Sequence, residues 1–400
     1  MPALVITPRV RGFICLTAHP EGCAVNVRKL VARAESRREA RAGWKNVLVI
    51  GSSTGYGLAS LTSAVFGHGA SAVSVCLERA PHDQTTGSAG FYNLSEVHRL
   101  AAQRQARVTT IMADAFSPDT KQRVIDELRA RFGQVDLVVY SVAAPKRTDP
   151  ETGVTYASAL KPIGEAYNQK TILVDKAQVV PITVPAATEA EIFATTKVMG
   201  GEDWALWLNA LRDAGLLAPG CRTVAYSYIG PRITDAIYRS GTLGRAKEHL
   251  EAAARTLDVE LTRSCGGRAW VSVQQALVTQ ASAAIPVLPL YISLLLRCQR
   301  ERAEREGTAE QIERLFDEHL RPQKTPIVDE LGRIRLDDRE MNPELQRIID
   351  QRWDALATEN LDELSDLAEY KRQFRQLFGF EVDGVDYTQP VEIDASLAPT

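Results

Sequence analysis

Three glycines in Gly51-Ser52-Ser53-Thr54-Gly55-Tyr56-Gly57 follow the apolar run Asn46-Val-Leu-Val-Ile50 and precede a helix-compatible stretch. Glycine at a strand-to-helix turn lets the backbone come close to a phosphate. The helix N-terminus then offers unpaired N–H groups and the positive end of its dipole to the anion. The same residues also fit G-x-S-x-G, the turn that presents a nucleophilic serine in hydrolases. Phosphate binding and acyl transfer to serine make different demands on the rest of the chain.

A serine nucleophile needs a histidine and usually an acid. In α/β-hydrolases its turn follows several strands, whereas here it sits on the first strand of the alternating region. His249 lies in an apparent helix and His319 in a charged one, both suited to solvated surface, and a serine turn gives Gly57 no role. A dinucleotide site demands an acidic residue at the end of the second strand to accept hydrogen bonds from the adenosine ribose. Leu77-Glu78 closes the run Val73-Ser-Val-Cys-Leu-Glu78. A carboxylate there also repels a 2′-phosphate, so the expected cofactor is NADH/NAD rather than NADPH. Asp114-Ala115 ends the third strand, where a side chain meets the adenine. Ser141-Val142-Ala143 ends the fourth, where small residues leave room for the nicotinamide ribose.

The elements that must position these residues alternate. Strands are expected at 46–50, 71–77, 107–113 and 135–141, and helices at 56–67, 93–105 and 118–132. Short apolar strands between helices give a parallel sheet buried on both faces. The fold class is α/β: a Rossmann-like doubly wound parallel sheet with flanking helices, an N-terminal β-hairpin within 1–25 and a β insertion at 146–190. Further expectations are helices at 188–199 and 202–215, a strand at 222–228, helices at 245–257 and 271–284 with a strand at 258–261 between them, and a charged helical tail from about 299. The reading is one domain over 1–400: hairpin and helix (1–45), first cofactor-binding half (46–145), insertion with catalytic and substrate-covering parts (146–298), and helical extension (299–400).

Composition narrows the partners. The 400 residues are 45% hydrophobic and 24% charged with net charge −3, an ordinary globular balance that disfavours nucleic acid. Six cysteines without C-x-x-C spacing argue against a zinc site. Free thiols, together with a start that lacks a signal-peptide pattern, point to the cytoplasm. The apolar run Ala281–Leu296 is shorter than the roughly 20 residues that span a bilayer and contains two prolines. It is expected to be a buried or site-covering segment, with no membrane role. An arginine-rich helix at 26–43 (Arg28, Lys29, Arg33, Arg37, Arg38 and Arg41 against Glu35 and Glu39) reads as a solvated face or as a docking face for an acidic partner.

The spacing Gly-x3-Gly-x-Gly resembles the short-chain dehydrogenase/reductase pattern, whose catalytic tyrosine and lysine usually lie four apart. No Tyr-x3-Lys occurs, but Tyr238 and Lys247 form Tyr-x8-Lys. Nine residues of unbroken helix turn by about 900°, onto opposite faces, so the pair converges only if the backbone breaks, as Gly241 and Gly244 allow. With Pro8-Arg-Val-Arg-Gly-Phe-Ile-Cys-Leu-Thr-Ala-His-Pro20, Tyr226-Ser-Tyr-Ile-Gly-Pro231 and Ala276-Leu-Val-Thr-Gln280, the chain resembles, over nearly its whole length, the FabV-type trans-2-enoyl-ACP/enoyl-CoA reductases. The resemblance implies an NADH-dependent enoyl thioester reductase, a monomer, using acyl carrier protein or CoA as acyl carrier. It implies Tyr238 as proton donor, Lys247 on the cofactor, Tyr228 on the substrate and Leu277-Val278-Thr279 against the cofactor. Gly51, Ser52, Ser53, Thr54, Gly55 and Tyr56 would cradle the pyrophosphate. A ketone-reducing short-chain dehydrogenase, an NADH-binding module without turnover and, third, a serine hydrolase are the competing readings.

Overall fold

Seven parallel strands form the central sheet of the computed structural model, which describes residues 3–37, 43–322, 324–395 and 397. Numbering only these strands, they are β1 (Asn46–Ile50), β2 (Ser71–Cys76), β3 (Val108–Met112), β4 (Val135–Tyr140), β5 (Leu217–Ser227), β6 (Arg268–Val273) and β7 (Ile334–Arg335). Their order is 3-2-1-4-5-6-7, the doubly wound arrangement with a seventh strand added. Ile50 pairs in register with Val75 of β2 and Tyr140 of β4. Gly51, Leu77 and Ser141 therefore stand at neighbouring carboxyl ends, beside the point where the strand order reverses.

Alternation of side chains builds a core on each face. Val47 and Val49 of β1 pack with Val27 and Val31 of the helix Pro20–Ser36 and with Ile312, Leu315 and Phe316. Leu48 and Ile50 face the other way, onto Val124, Trp204, Trp207, Leu257 and Leu261. A third cluster joins Ile237 and Tyr238 to Tyr291, Leu294, Trp353, Phe374, Phe378 and Phe380, so the C-terminal extension packs onto the region of the tyrosine. The expected hairpin is present as Val10–Arg11 against Ile14–Cys15, and Ala3–Leu4 pairs with Val391–Glu392. The β insertion is two antiparallel hairpins, Lys146–Thr148 with Thr155–Ala157 and Tyr167–Leu173 with Gln178–Val184.

Two stretches differ from expectation. Residues 242–265 form one helix, Thr242–Cys265, with no strand at 258–261. Leu250, Ala254, Leu257 and Leu261 are buried at helical spacing, and Gly266 ends the helix at φ 67°. The strand is β6, where Trp270-Val-Ser-Val273 is buried on both sides, and only Gln280–Ala283 of the expected helix at 271–284 is helical. The arginine-rich helix begins early, at Pro20, where His19 Nδ1 accepts from the Gly22 amide at 3.1 Å. Its arginines are engaged within the chain: Arg33 with Glu310 and Glu313, Arg37 with Glu313 and Asp317, Arg28 with Glu21 and Glu96. They tie the helix to its neighbours. Arg38, Glu39 and Arg41 lie outside the described residues. In the apolar run Ala281–Leu296, the portion Leu288–Leu296 is core helix, buried throughout.

Candidate active site

The turn after β1 is built on contacts only glycine permits. Gly51 takes φ 86°, and a Cβ there would lie 2.2 Å from Ser141 O; a Cβ on Gly57 would lie 1.8 Å from Gly51 O. Gly57 thus lets the helix Gly55–Thr62 press against the turn it follows, and Gly55 supplies a second positive φ of 54°. Thr54 precedes this helix and its hydroxyl makes no capping bond, which leaves the first helical N–H groups to an anion. The positive φ angles fall on glycines, and Ser53 is buried, unlike the exposed, strained serine of a hydrolase turn.

The serine side chains serve the protein. Ser52 spends both its hydroxyl and its amide on Val75 O, each at 3.3 Å. Ser53 Oγ donates to Glu78 Oε1 at 2.5 Å, and Ser88 Oγ donates to Glu78 Oε2. Both hydroxyls therefore have protein acceptors. Glu78 is held in a fixed orientation at the end of β2, with the side chain of Leu77 beside it 71% exposed, an apolar ledge suited to a base. Tyr56 also turns inward: its hydroxyl donates to Gln275 O at 3.1 Å and Gln311 Oε1 at 2.9 Å. Asp114 is exposed at the end of β3 and accepts from the Phe116 amide at 2.9 Å. The Ala115 carbonyl is occupied by Lys121 and Trp207. Val142 is half-buried and Ala143 exposed past β4. Leu277 and Val278 lead into Thr279, which caps the helix Gln280–Ala283 reciprocally with Ser282.

Tyr238 ends a 3₁₀ helix, Arg232–Ile237, and the helix carrying Lys247 begins four residues on, at Thr242. The backbone break that a Tyr-x8-Lys pair requires lies at Arg239–Gly241. A Cβ on Gly244 would lie 1.8 Å from Arg239 O and 2.8 Å from Tyr238 O, so the first turn of the lysine helix rests against the backbone of the tyrosine. Tyr238 is 8% exposed, and burial, with Glu340 adding to it, holds its phenol well above the usual tyrosine range. It keeps its proton at neutral pH. Burial pushes Lys247 down to about 8, against the attraction of Glu251. Tyr228 meets Tyr238 edge-on, with ring centroids 4.8 Å apart and planes at 85°.

One residue of this cluster has no sequence signature. Glu340, fully buried, accepts from Tyr228 Oη and Tyr291 Oη at 2.8 Å each and from the Ala276 amide at 2.6 Å. Its surroundings, Asp337-Asp338-Arg339-Glu340, read as solvated charge, and no local spacing separates it from Asp338, which is largely exposed.

Sheet order, glycine turn and the acidic end of β2 define a Rossmann-like dinucleotide-binding class of fold. Within that class the chain belongs to the trans-2-enoyl-CoA reductase family: residues 85–321 match the catalytic region of trans-2-enoyl-CoA reductase, and residues 5–83 its NAD(P)H binding domain. The enoyl-[acyl-carrier-protein] reductase [NADH] of Pseudoalteromonas atlantica is 50% identical over 96% of this chain and 97% of its own, and that of Opitutus terrae 49% over 97% and 98%. The crystal structure of Treponema denticola trans-2-enoyl-CoA reductase in complex with NAD is 43% identical, covers 97% of this chain and 98% of its own, and superposes with a TM-score of 0.93.

Residues 328–391 match a family described as an enoyl reductase FAD binding domain. The residues present do not fit a flavin. Leu345, Ile349, Trp353, Leu356, Leu361, Leu367, Phe374, Phe378 and Phe380 fill the interior of this region as part of the third core cluster. Among the described residues there, Gly379 faces His19 O at 2.5 Å from its Cβ position, while Gly332 and Gly384 border open space; none sits at a strand-to-helix phosphate turn.

Proposed function

We propose that this chain catalyses the NADH-dependent reduction of the trans-2 double bond of an enoyl thioester, carried on acyl carrier protein or CoA, to the acyl thioester. The observation that carries this reading is Tyr238: a buried phenol that holds its proton at neutral pH, on a backbone packed against the helix of Lys247. NADH, when bound, would supply a hydride to the β carbon. The Tyr238 hydroxyl stabilises the negative charge that develops on the thioester oxygen and relays a proton that ends on the α carbon, giving the acyl thioester. The Lys247 ammonium favours the phenolate that remains and holds the cofactor ribose. Thr54 and Gly55 give the pyrophosphate their backbone amides, Gly51, whose own amide donates to Val75 O, gives it a close approach, Glu78 takes the adenosine ribose, and Tyr228 positions the substrate against Tyr238. The reading includes a cytoplasmic monomer; the free cysteines fit a reducing compartment.

The test is NADH oxidation with crotonyl-CoA. Butyryl-CoA in equal amount to NADH consumed is the expected result. Inert crotonyl-CoA alongside a reduced ketone would overturn the enoyl assignment.

Two further outcomes follow from the electrostatics. Glu78→Ala removes the ribose acceptor and the charge that repels a 2′-phosphate. The preference in kcat/KM for NADH over NADPH is expected to fall by about tenfold or more, equivalent to ~1.4 kcal/mol; an unchanged ratio would take Glu78 out of cofactor choice. Lys247, with its pKa lowered to about 8, is charged below that pH and neutral above it. Since kcat/KM reports groups on the free enzyme, it is expected to decline above about pH 8, and Lys247→Arg to carry that limb to higher pH. A profile flat through pH 9 would contradict a role for the ammonium.

A further inference from the structure

We propose that Glu340 is a positioning residue of the reaction: one buried carboxylate fixes the hydroxyl of Tyr228 and the amide of Ala276 together, and so sets the substrate-side tyrosine in register with the segment Leu277–Thr279. The inference rests on the reductase reading above and extends it to a residue of the C-terminal extension.

The geometry is specific. Oε1 takes hydrogen bonds from Tyr228 and Tyr291, and Oε2 takes one from the Ala276 amide. Gln346 Nε2 closes the arrangement, donating to Tyr291 Oη at 3.0 Å and to the Glu340 carbonyl at 2.7 Å. Tyr228 is pinned at two points, its hydroxyl by Glu340 and its ring by the edge-on contact with Tyr238. The Ala276 amide stands immediately before Leu277, and its neighbour Gln275 holds the Tyr56 hydroxyl of the glycine-turn helix. A single side chain therefore links the two sides of the site, the tyrosine pair and the cofactor-side strand end.

A buried carboxylate is a costly way to fill this volume. Its three protein donors are neutral, and burial raises its pKa to about 7 even with those bonds opposing the rise. An apolar residue of similar size would pack there at lower cost. What it would not do is accept a hydroxyl and an amide in fixed directions from two separate segments.

The experiment is a double-mutant cycle on kcat with crotonyl-CoA, using wild type, Glu340→Gln, Tyr228→Phe and the double variant, with NADH affinity measured by cofactor fluorescence for each. Glutamine has one acceptor oxygen, so either the Ala276 amide loses its acceptor or the Tyr228 hydroxyl must turn from donor to acceptor. A loss of about 10- to 100-fold in kcat is expected, the range of a hydrogen bond to a charged group. NADH affinity is expected to fall in Glu340→Gln, through the segment after Ala276, and to stay within a factor of about three in Tyr228→Phe. Because Glu340 acts through Tyr228, the double variant is expected to be no slower than the slower single. Losses that multiply would show Glu340 acting on turnover independently of Tyr228 and would overturn the proposal, as would wild-type kcat in Glu340→Gln. If Glu340→Gln does not fold, Glu340→Asp, which withdraws the carboxylate by one methylene, enters the same cycle with the same expectation. Wild type without turnover removes the reductase reading and this inference with it; wild-type turnover with multiplying losses removes the inference alone.

Discussion

Tyr238→Phe is expected to lower kcat for crotonyl-CoA by about 10²- to 10⁴-fold, the usual worth of a positioned general acid, with the NADH dissociation constant nearly unchanged. The substitution removes one oxygen and keeps the ring, so the edge-on contact with Tyr228 and the packing against Ile237 persist. What disappears is the phenolic proton. Effects of this size with unchanged ground-state binding mark an interaction made in the transition state. Single-turnover rates with saturating NADH, alongside a fluorescence titration of the cofactor, separate the two quantities. Normal turnover in Tyr238→Phe would take the residue out of the mechanism.

Gly57→Ala is expected to act on the opposite quantity, weakening NADH binding by tenfold or more, equivalent to ~1.4 kcal/mol. Alanine favours a helix over glycine by up to about 1 kcal/mol, and by propensity alone the change would stabilise the chain. The added methyl, however, would lie 1.8 Å from Gly51 O, a backbone atom with no freedom to swing aside. Relief requires the helix to lift off the turn. That displaces the N–H groups that face the anion and costs roughly 1–3 kcal/mol of stability, as overpacking does. Calorimetric titration with NADH, together with a thermal melt, checks both parts. Unaltered affinity would mean that the turn is not where the pyrophosphate sits.

These two residues also show what is legible in a sequence and why. The glycine turn, Glu78 and the strand ends are local: their meaning lies in a few neighbouring residues and in a sheet order that alternating apolar strands imply, and the structure places Gly51, Leu77 and Ser141 side by side. The break after Tyr238 is legible for the same reason, through Gly241, whereas Gly244 lies inside the helix that follows. The partners of the serines are not. That Ser53 donates to Glu78 is not readable from the sequence, because the end of β2 reaches it only through parallel pairing. Glu340 is hidden more deeply. Its three partners come from the residue after β5 and the segments around Ala276 and Tyr291, brought together only when the extension folds over the sheet. The helix Thr242–Cys265 was hard to separate from a helix–strand–helix because Val259 and Leu261 suit either period over so short a window.

The most direct measurement of the central claim follows the hydride itself. Crotonyl-CoA is reduced with NADH deuterated at the transferred position, and the product is examined by mass spectrometry and NMR. Butyryl-CoA with one deuterium on the β carbon and solvent-derived hydrogen at the α carbon is the expected product. Deuterium on a carbinol carbon of a reduced ketone, with crotonyl-CoA untouched, would contradict it.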